Sequence, residues 1–373
     1  MTLRDPDIAS AIQGLFAERG AAPVEVAVLQ PADPFLDIAG EDLRRRIFLT
    51  ESESGQTLCL RPEFTIPVCL DHIASRAGTP RRYSYLGEVF RQRREGGSEF
   101  LQAGIEDIGE TDIAEADARS VADAVALLDA VLPGVEFTVT LGDQAVFEAV
   151  LAGLGLPRGW QKRLARAFGA PDLLQAALAD LGRPANGPSE DPYHPELAAT
   201  GELVSLTEGL RQAMEAAGLP TTAGRTPEEI ARRLIEKAEL SRVRLPETAF
   251  AALKSFLGIR VPLDRAVATL GAFARDAGLS LGKALDLFSA RVAAAARHGL
   301  PVDRIRYDAA FGRPLDYYTG LVFEIAPPGA SRPLVGGGRY DRLLTLLGAP
   351  KPIPGVGFSV WLDRIEQLRG GGA

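Results

Sequence analysis

The chain has 373 residues, 24% of them charged, and its 41 Lys and Arg against 49 Asp and Glu give a formal net charge of −8. That length buries a large core, as one domain with an insertion or as two domains, and the negative balance argues against a broad nucleic-acid-binding surface. Cys59 and Cys69 are too few for a disulfide framework, no basic and apolar leader opens the chain, and no apolar run is long enough for a bilayer; a soluble, cytoplasmic protein is expected.

Ile8, Ile12, Leu15 and Phe16 recur at helical spacing after Asp7, and Gly20 ends the pattern, which predicts a helix over 7–19. An apolar run over 24–29 leads into Gln30 and the prolines Pro31 and Pro34, which forbid a central strand and predict an extended edge or interface segment. Residues 47–50 and 57–60 read as a hairpin. Next, 83–91 and 100–106 are two strand-like runs joined by a polar, glycine-bearing loop, an antiparallel hairpin. Strand alternation puts Tyr83, Tyr85, Val89 and Arg91 on one face of the first run, and Phe100, Gln102, Gly104 and Glu106 on one face of the second. Where those faces coincide, Arg91, Gln102 and Glu106 converge over a hollow, with Gly104 leaving space between two polar groups and Glu63 and Thr65 just upstream. Two acids, an amide, a hydroxyl and a guanidinium suit a small zwitterion; the plainer alternative is a solvated sheet surface with ordinary cross-strand ion pairs.

An alanine-rich amphipathic helix is expected over 112–132 and a strand over 136–141. From 142 to 300 the helical periodicity is nearly continuous. Thr226-Pro-Glu-Glu229 is a capping box with proline at the first helical position, and 183–195, with four prolines and one glycine, reads as a loop. The sheet resumes at 304–308 and 315–325, then at the glycine-rich run 334–341 before a helix over 341–347, and ends in a strand-to-helix run over 355–365. The organisation expected is α+β: 1–141 and 301–373 as two parts of one sheet domain, mainly antiparallel and flanked by helices, with 142–300 a helical insertion.

Four motifs in this order resemble the class II aminoacyl-tRNA synthetase core, and histidyl-tRNA synthetase in particular: Leu60-Arg-Pro-Glu-Phe-Thr65; Phe90-Arg91 with Gln102 and Glu106; Arg313-Pro-Leu-Asp-Tyr-Tyr-Thr-Gly320 with Glu324; and Gly336-Gly-Gly-Arg-Tyr-Asp341 followed by Leu362-Asp-Arg364. The resemblance implies that Glu63, Thr65 and Gln102 hold the ammonium of histidine, that Glu106 and Tyr318 face its imidazole, and that Arg91 and Arg313 take its carboxylate. Tyr317 belongs to the same pocket or is a core aromatic. Arg339 and Asp341 are expected to form a structural ion pair or a cap. Phe100 and Arg364 mark a possible residual nucleotide site.

The sequence departs from a synthetase in two ways. It ends soon after Arg364, without an anticodon-binding domain, and Arg93 stands where synthetases carry a glutamate near the adenine, ahead of a shortened loop. A histidine pocket without tRNA machinery resembles the regulatory subunits of ATP phosphoribosyltransferase. That resemblance implies a non-catalytic subunit of histidine biosynthesis with no cofactor. It would bind histidine for feedback inhibition, support a short catalytic subunit, and form dimers within a hetero-oligomer, with residues 30–35 near the dimer interface and no tRNA bound. The alternative is a truncated ligase that forms an aminoacyl-adenylate for a non-tRNA acceptor. An unrelated α/β enzyme has little support, because the glycine tract lacks dinucleotide or P-loop spacing. His72, His194 and His298 are scattered, none at ligand spacing from another His or Cys, so no metal site is expected.

Overall fold

The computed structural model describes residues 6–38, 40–93, 97–182, 201–218, 226–241, 245–313, 315, 317–330 and 332–370. The loop expected over 183–195, with His194, and the motif residues Pro314 and Asp316 lie outside the described residues.

The strands are β1 (Ala22–Pro23), β2 (Leu29–Pro31), β3 (Leu49–Glu51), β4 (Thr57–Leu60), β5 (Arg81–Phe90), β6 (Glu99–Ile108), β7 (Thr138–Asp143), β8 (Arg260–Pro262), β9 (Arg306–Asp308), β10 (Leu321–Ala326), β11 (Val335–Arg339) and β12 (Gly355–Trp361). Among the described residues nine of them form one sheet in the order β1-β5-β6-β12-β11-β10-β7-β9-β8, and β2-β4-β3 form a second. Every pairing from β5 through to β7 is antiparallel, while β1 joins β5 and β9 joins β7 in parallel. The α+β, mainly antiparallel class read from the sequence is therefore the observed one.

Alternation divides the core in two. Leu101, Ala103 and Ile105 of β6 point into the larger apolar cluster with Ile12, Leu127, Leu128, Phe147 and Phe288, which come from helices laid over that face. Phe100 and, from β5, Tyr85 and Val89 point into a second cluster with Phe35, Phe64, Tyr317, Tyr340 and Trp361. The helix Ile113–Val131 lies against the sheet, its first turn capped by Asp112, whose carboxylate accepts from the Glu115 amide at 3.1 Å. The capping box is formed as expected: the Thr226 amide donates to Glu229 at 3.0 Å and the Glu229 amide to Thr226 Oγ1 at 3.2 Å.

Three expectations change. The segment around Pro31 and Pro34 is extended only through Pro31; Asp33–Ile38 is a helix, because a proline in the first turn gives up an amide that has no partner there anyway. The single strand expected over 315–325 begins only at Leu321, and residues 317–320 before it lie outside the sheet. The helix expected over 341–347 is the single turn Leu343–Leu346. Within 142–300, β8 interrupts the helices and adds an edge to the main sheet beside β9. No helix among the described residues is long and apolar enough to cross a membrane.

Candidate functional site

The hairpin β5–β6 makes the floor. Its register pairs Tyr83 with Glu106, Tyr85 with Gly104, Gly87 with Gln102 and Val89 with Phe100, so the two polar rows occupy one face. Gly104 does not leave that face open: a Cβ there would lie 2.4 Å from the Tyr85 hydroxyl and 2.1 Å from the Phe358 carbonyl oxygen. The space that the missing side chain creates is filled by the Tyr85 ring.

A cavity of about 90 Å³ sits on this floor, and Glu63, Thr65, Arg91, Gln102, Glu106, Arg313, Tyr317 and Tyr318 all line it. Phe100 and Arg364 do not. Phe100 is buried beneath Arg93, whose guanidinium lies 3.5 Å from the ring centroid and 3.3 Å from Asp363. Arg364 rests on Trp361, 4.4 Å from its ring, and donates to the Pro333 carbonyl.

Glu63 serves the helix Thr65–Ser75. Its carboxylate accepts from the amides of Thr65 at 2.7 Å and Ile66 at 2.9 Å, which fixes the positive end of that helix at the cavity. Burial raises the Glu63 pKa, opposed by the Ile66 amide and the charge of Arg91. Glu106 lies at the centre. Thr65 Oγ1 donates to its Oε1 at 2.7 Å, the Tyr85 hydroxyl to the same oxygen at 3.4 Å, and the Tyr340 hydroxyl to Oε2. Burial pushes the Glu106 carboxyl up to about 8, against the pull of the Tyr340 and Thr65 hydroxyls.

On the other side Arg91 Nε donates to the Pro62 carbonyl at 2.6 Å, and burial brings its guanidinium down to about 10. Arg313 stands over Gly336, where a Cβ would meet its guanidinium at 2.3 Å, and reaches Glu324 only at 3.7 Å. Its Nε has no hydrogen-bond partner among the described residues. Gln102 is fully buried, yet among the described residues neither its Oε1 nor its Nε2 has a partner. Unsatisfied buried amides are rare and costly, so this one points to a molecule that completes the cavity. The site can thus bind a small molecule that carries both a cation and an anion, the cation toward Glu63 and Glu106 and the anion toward Arg91 and Arg313.

The departure of residues 317–320 from the sheet is what carries Tyr317 and Tyr318 over the floor. The Thr319 amide donates to the Arg339 carbonyl at 2.8 Å and the Gln144 amide to Gly320 at 2.9 Å, tying the end of the segment to two elements at once. Tyr317 lines the cavity and also packs 5.1 Å from Tyr318 and 6.1 Å from Tyr340, ring to ring. Sequence reasoning puts Tyr85 on this face without a role, and gives none to Tyr340 or to Ser359, which lines the cavity with its hydroxyl 2.7 Å from that of Tyr85. Tyr85 carries a usable signal, since alternation sets it on the face of Arg91 and the hairpin register then pairs it with Gly104; Tyr340 stands in a quoted motif, but its contact with Glu106 joins positions far apart in sequence and has no local signal. Arg339 and Asp341 do pair, at 2.6 Å.

The sequence profile of the family described as Histidyl-tRNA synthetase matches residues 3–232 and 210–365. Among solved structures, histidyl-tRNA synthetase from Nostoc sp. PCC 7120 superposes with a TM-score of 0.65 at 18% identity, over 98% of this chain and 72% of that one. An ATP phosphoribosyltransferase regulatory subunit/histidyl-tRNA synthetase from Bacillus halodurans superposes with a TM-score of 0.64 at 21% identity, over 96% of this chain and 77% of that one. The fold is thus that of the histidyl-tRNA synthetase-like class II core. Over 372 residues the chain is 70% identical to the ATP phosphoribosyltransferase regulatory subunit of Mesorhizobium japonicum, covering 99% of each. It belongs to the family of ATP phosphoribosyltransferase regulatory subunits.

Proposed function

We propose that this regulatory subunit binds free histidine in the cavity, acts in histidine biosynthesis in the cytoplasm, and passes the state of its pocket to a short catalytic subunit as feedback inhibition. The observation that carries this is the convergence on one cavity of two acids, two arginines and the unpartnered Gln102 amide. Histidine supplies an ammonium and an imidazole N–H for the acids and the amide, and a carboxylate for the arginines. For inhibition to follow, histidine must bind the inhibited assembly more tightly than the active one, and the catalytic subunit must change histidine affinity reciprocally.

We take the chain to be non-catalytic. Arg93 covers the face of Phe100 on which an adenine would have to stack and holds Asp363, so the face is occupied by the protein itself. Self-association fits the exposed apolar side chains of the smaller sheet and the segment leading to it: Val28, Leu29 and Leu49 are 37%, 52% and 55% exposed. The edge strand Leu29–Pro31 lies in this patch, and we assign the patch to a dimer within the hetero-oligomer.

Titration calorimetry with histidine tests the proposal. One saturable, stereoselective site per chain is expected. The Gln102→Leu variant should bind histidine at least tenfold more weakly while melting at a higher temperature than the parent, because it removes a buried amide that only the ligand satisfies. Equal histidine affinity in this variant would remove Gln102 from the site, and no binding by the parent chain, alone or with its catalytic subunit, would remove the proposal. Histidine-dependent exchange of pyrophosphate into ATP should be absent; its presence would favour the truncated-ligase alternative.

A further inference from the structure

A second and larger cleft, of about 910 Å³, opens beside the first and shares with it the wall made by Arg313, Leu315, Tyr317 and Tyr318. One side is the helix Arg158–Ala167. Its buried stripe is Trp160, Leu164 and Ala167, and Arg158, Lys162 and Arg166, spaced four residues apart, project from the other side as one row into the cleft. Arg342 joins them from the turn that follows β11. None of these four cations has a hydrogen bond or ion pair among the described residues. The same cleft carries three carboxylates, Glu148, which accepts from Gln144 at 3.1 Å, and Asp33 and Asp37 of the short helix Asp33–Ile38, against the five cations Arg158, Lys162, Arg166, Arg313 and Arg342.

In a chain of net charge −8, a concavity lined by five cations and three carboxylates, four of the cations without partners among the described residues, keeps a positive excess that favours an anion. The concavity distinguishes a small ligand from a flat protein contact, since its size falls within the range of small-molecule sites. We infer that this cleft binds a phosphate-bearing small molecule through Arg158, Lys162, Arg166 and Arg342. The shared wall couples it to the amino-acid cavity: a ligand that moves Tyr317 or Tyr318 on one side alters the other side too. Only this coupling rests on the histidine reading; the anion site stands without it.

The test uses the full chain and inorganic tripolyphosphate as the probe, with binding followed calorimetrically at low and moderate salt. Saturable binding at one site, weakening as salt rises, is expected. The double variant Lys162→Glu/Arg166→Glu should lose about tenfold or more in affinity, whereas Lys283→Glu, an exposed charge reversal outside the cleft, should leave it unchanged. Circular dichroism confirms that each variant is folded. Absence of binding by the parent chain, equal loss in Lys283→Glu, or tighter binding of hexaglutamate than of tripolyphosphate would each overturn the assignment. Titrating histidine with and without saturating tripolyphosphate then reads the coupling. A changed histidine affinity supports it, an unchanged one overturns the coupling while leaving the anion site, and failure of histidine to bind at all counts against the first cavity alone.

Discussion

Replacing Glu106 by alanine is expected to lower histidine affinity by roughly ten- to a hundredfold, measured by calorimetric titration at neutral pH. The carboxylate is 1% exposed and is the convergence point of the Thr65, Tyr85 and Tyr340 hydroxyls. Removing it takes away the group that would face the ligand cation, worth roughly 1.5–3 kcal/mol for a charged hydrogen bond, and strands three hydroxyls besides. The pH dependence makes the prediction sharper. Burial lifts this carboxyl from an ordinary 4.5 to about 8, so in the empty pocket at pH 7 it is mostly protonated, and a bound cation favours its ionised form. Histidine binding should therefore release protons, seen as a binding heat that varies with the ionisation enthalpy of the buffer. For stability the sign follows from proton counting. Between about 4.5 and about 8 the folded chain holds a proton that the unfolded chain has lost, so this contribution is complete below the lower value and disappears as pH rises through the upper one. Glu106→Gln, which is neutral throughout, should flatten that part of the stability profile and exceed the parent in stability at pH 8. A Glu106→Ala protein that binds histidine normally would show that the acid faces no ligand, and a buffer-independent heat would uncouple its ionisation from binding.

The second large effect is on the fold. Arg339→Ala should destabilise the protein by about 3–5 kcal/mol, read from the midpoint of chemical denaturation, because it opens a buried ionic network. Arg339 and Arg291 grip opposite oxygens of Asp117, which is fully buried: Arg339 Nε at 2.7 Å on Oδ1 and Arg291 Nε at 2.5 Å on Oδ2. Arg291 also donates to Asp143, and Arg339 to Asp341 at 2.6 Å. The network joins the helix Ile113–Val131, the helix Gly282–Arg297 and strands β7 and β11, so a distant part of the chain is fastened to the strand that anchors Thr319 and, through it, the two tyrosines of the cavity. Arg211→Ala offers the contrast. Its pairs with Glu208 and Glu215 are exposed on one helix, and the denaturation midpoint should not move measurably. Equal midpoints for the parent and Arg339→Ala would mean that the network is dispensable.

What could be read without a structure follows from short-range rules. A two-residue period alone puts Arg91, Gln102 and Glu106 on one side of their strands once the hairpin is granted, and the observed register sets both rows on a common face. The capping box at Thr226 and the cap at Asp112 are equally local, because a side chain satisfies an amide three residues away. The motif order then joined Glu63, Thr65 and the segment 313–318 to the hairpin across more than two hundred residues, by resemblance and not by periodicity. Other features depended on which atoms meet across the fold. That Gly104 houses the Tyr85 ring, that Tyr340 reaches Glu106, that Arg93 seals Phe100, and that residues 317–320 leave the sheet are all outcomes of long-range contacts. Sequence determined which side chains share an element and a face, because backbone geometry repeats over a few residues. Tertiary structure alone decided which of those faces stay open to a ligand and which the protein fills itself, because packing is settled by volume and hydrogen-bond partners drawn from the whole chain.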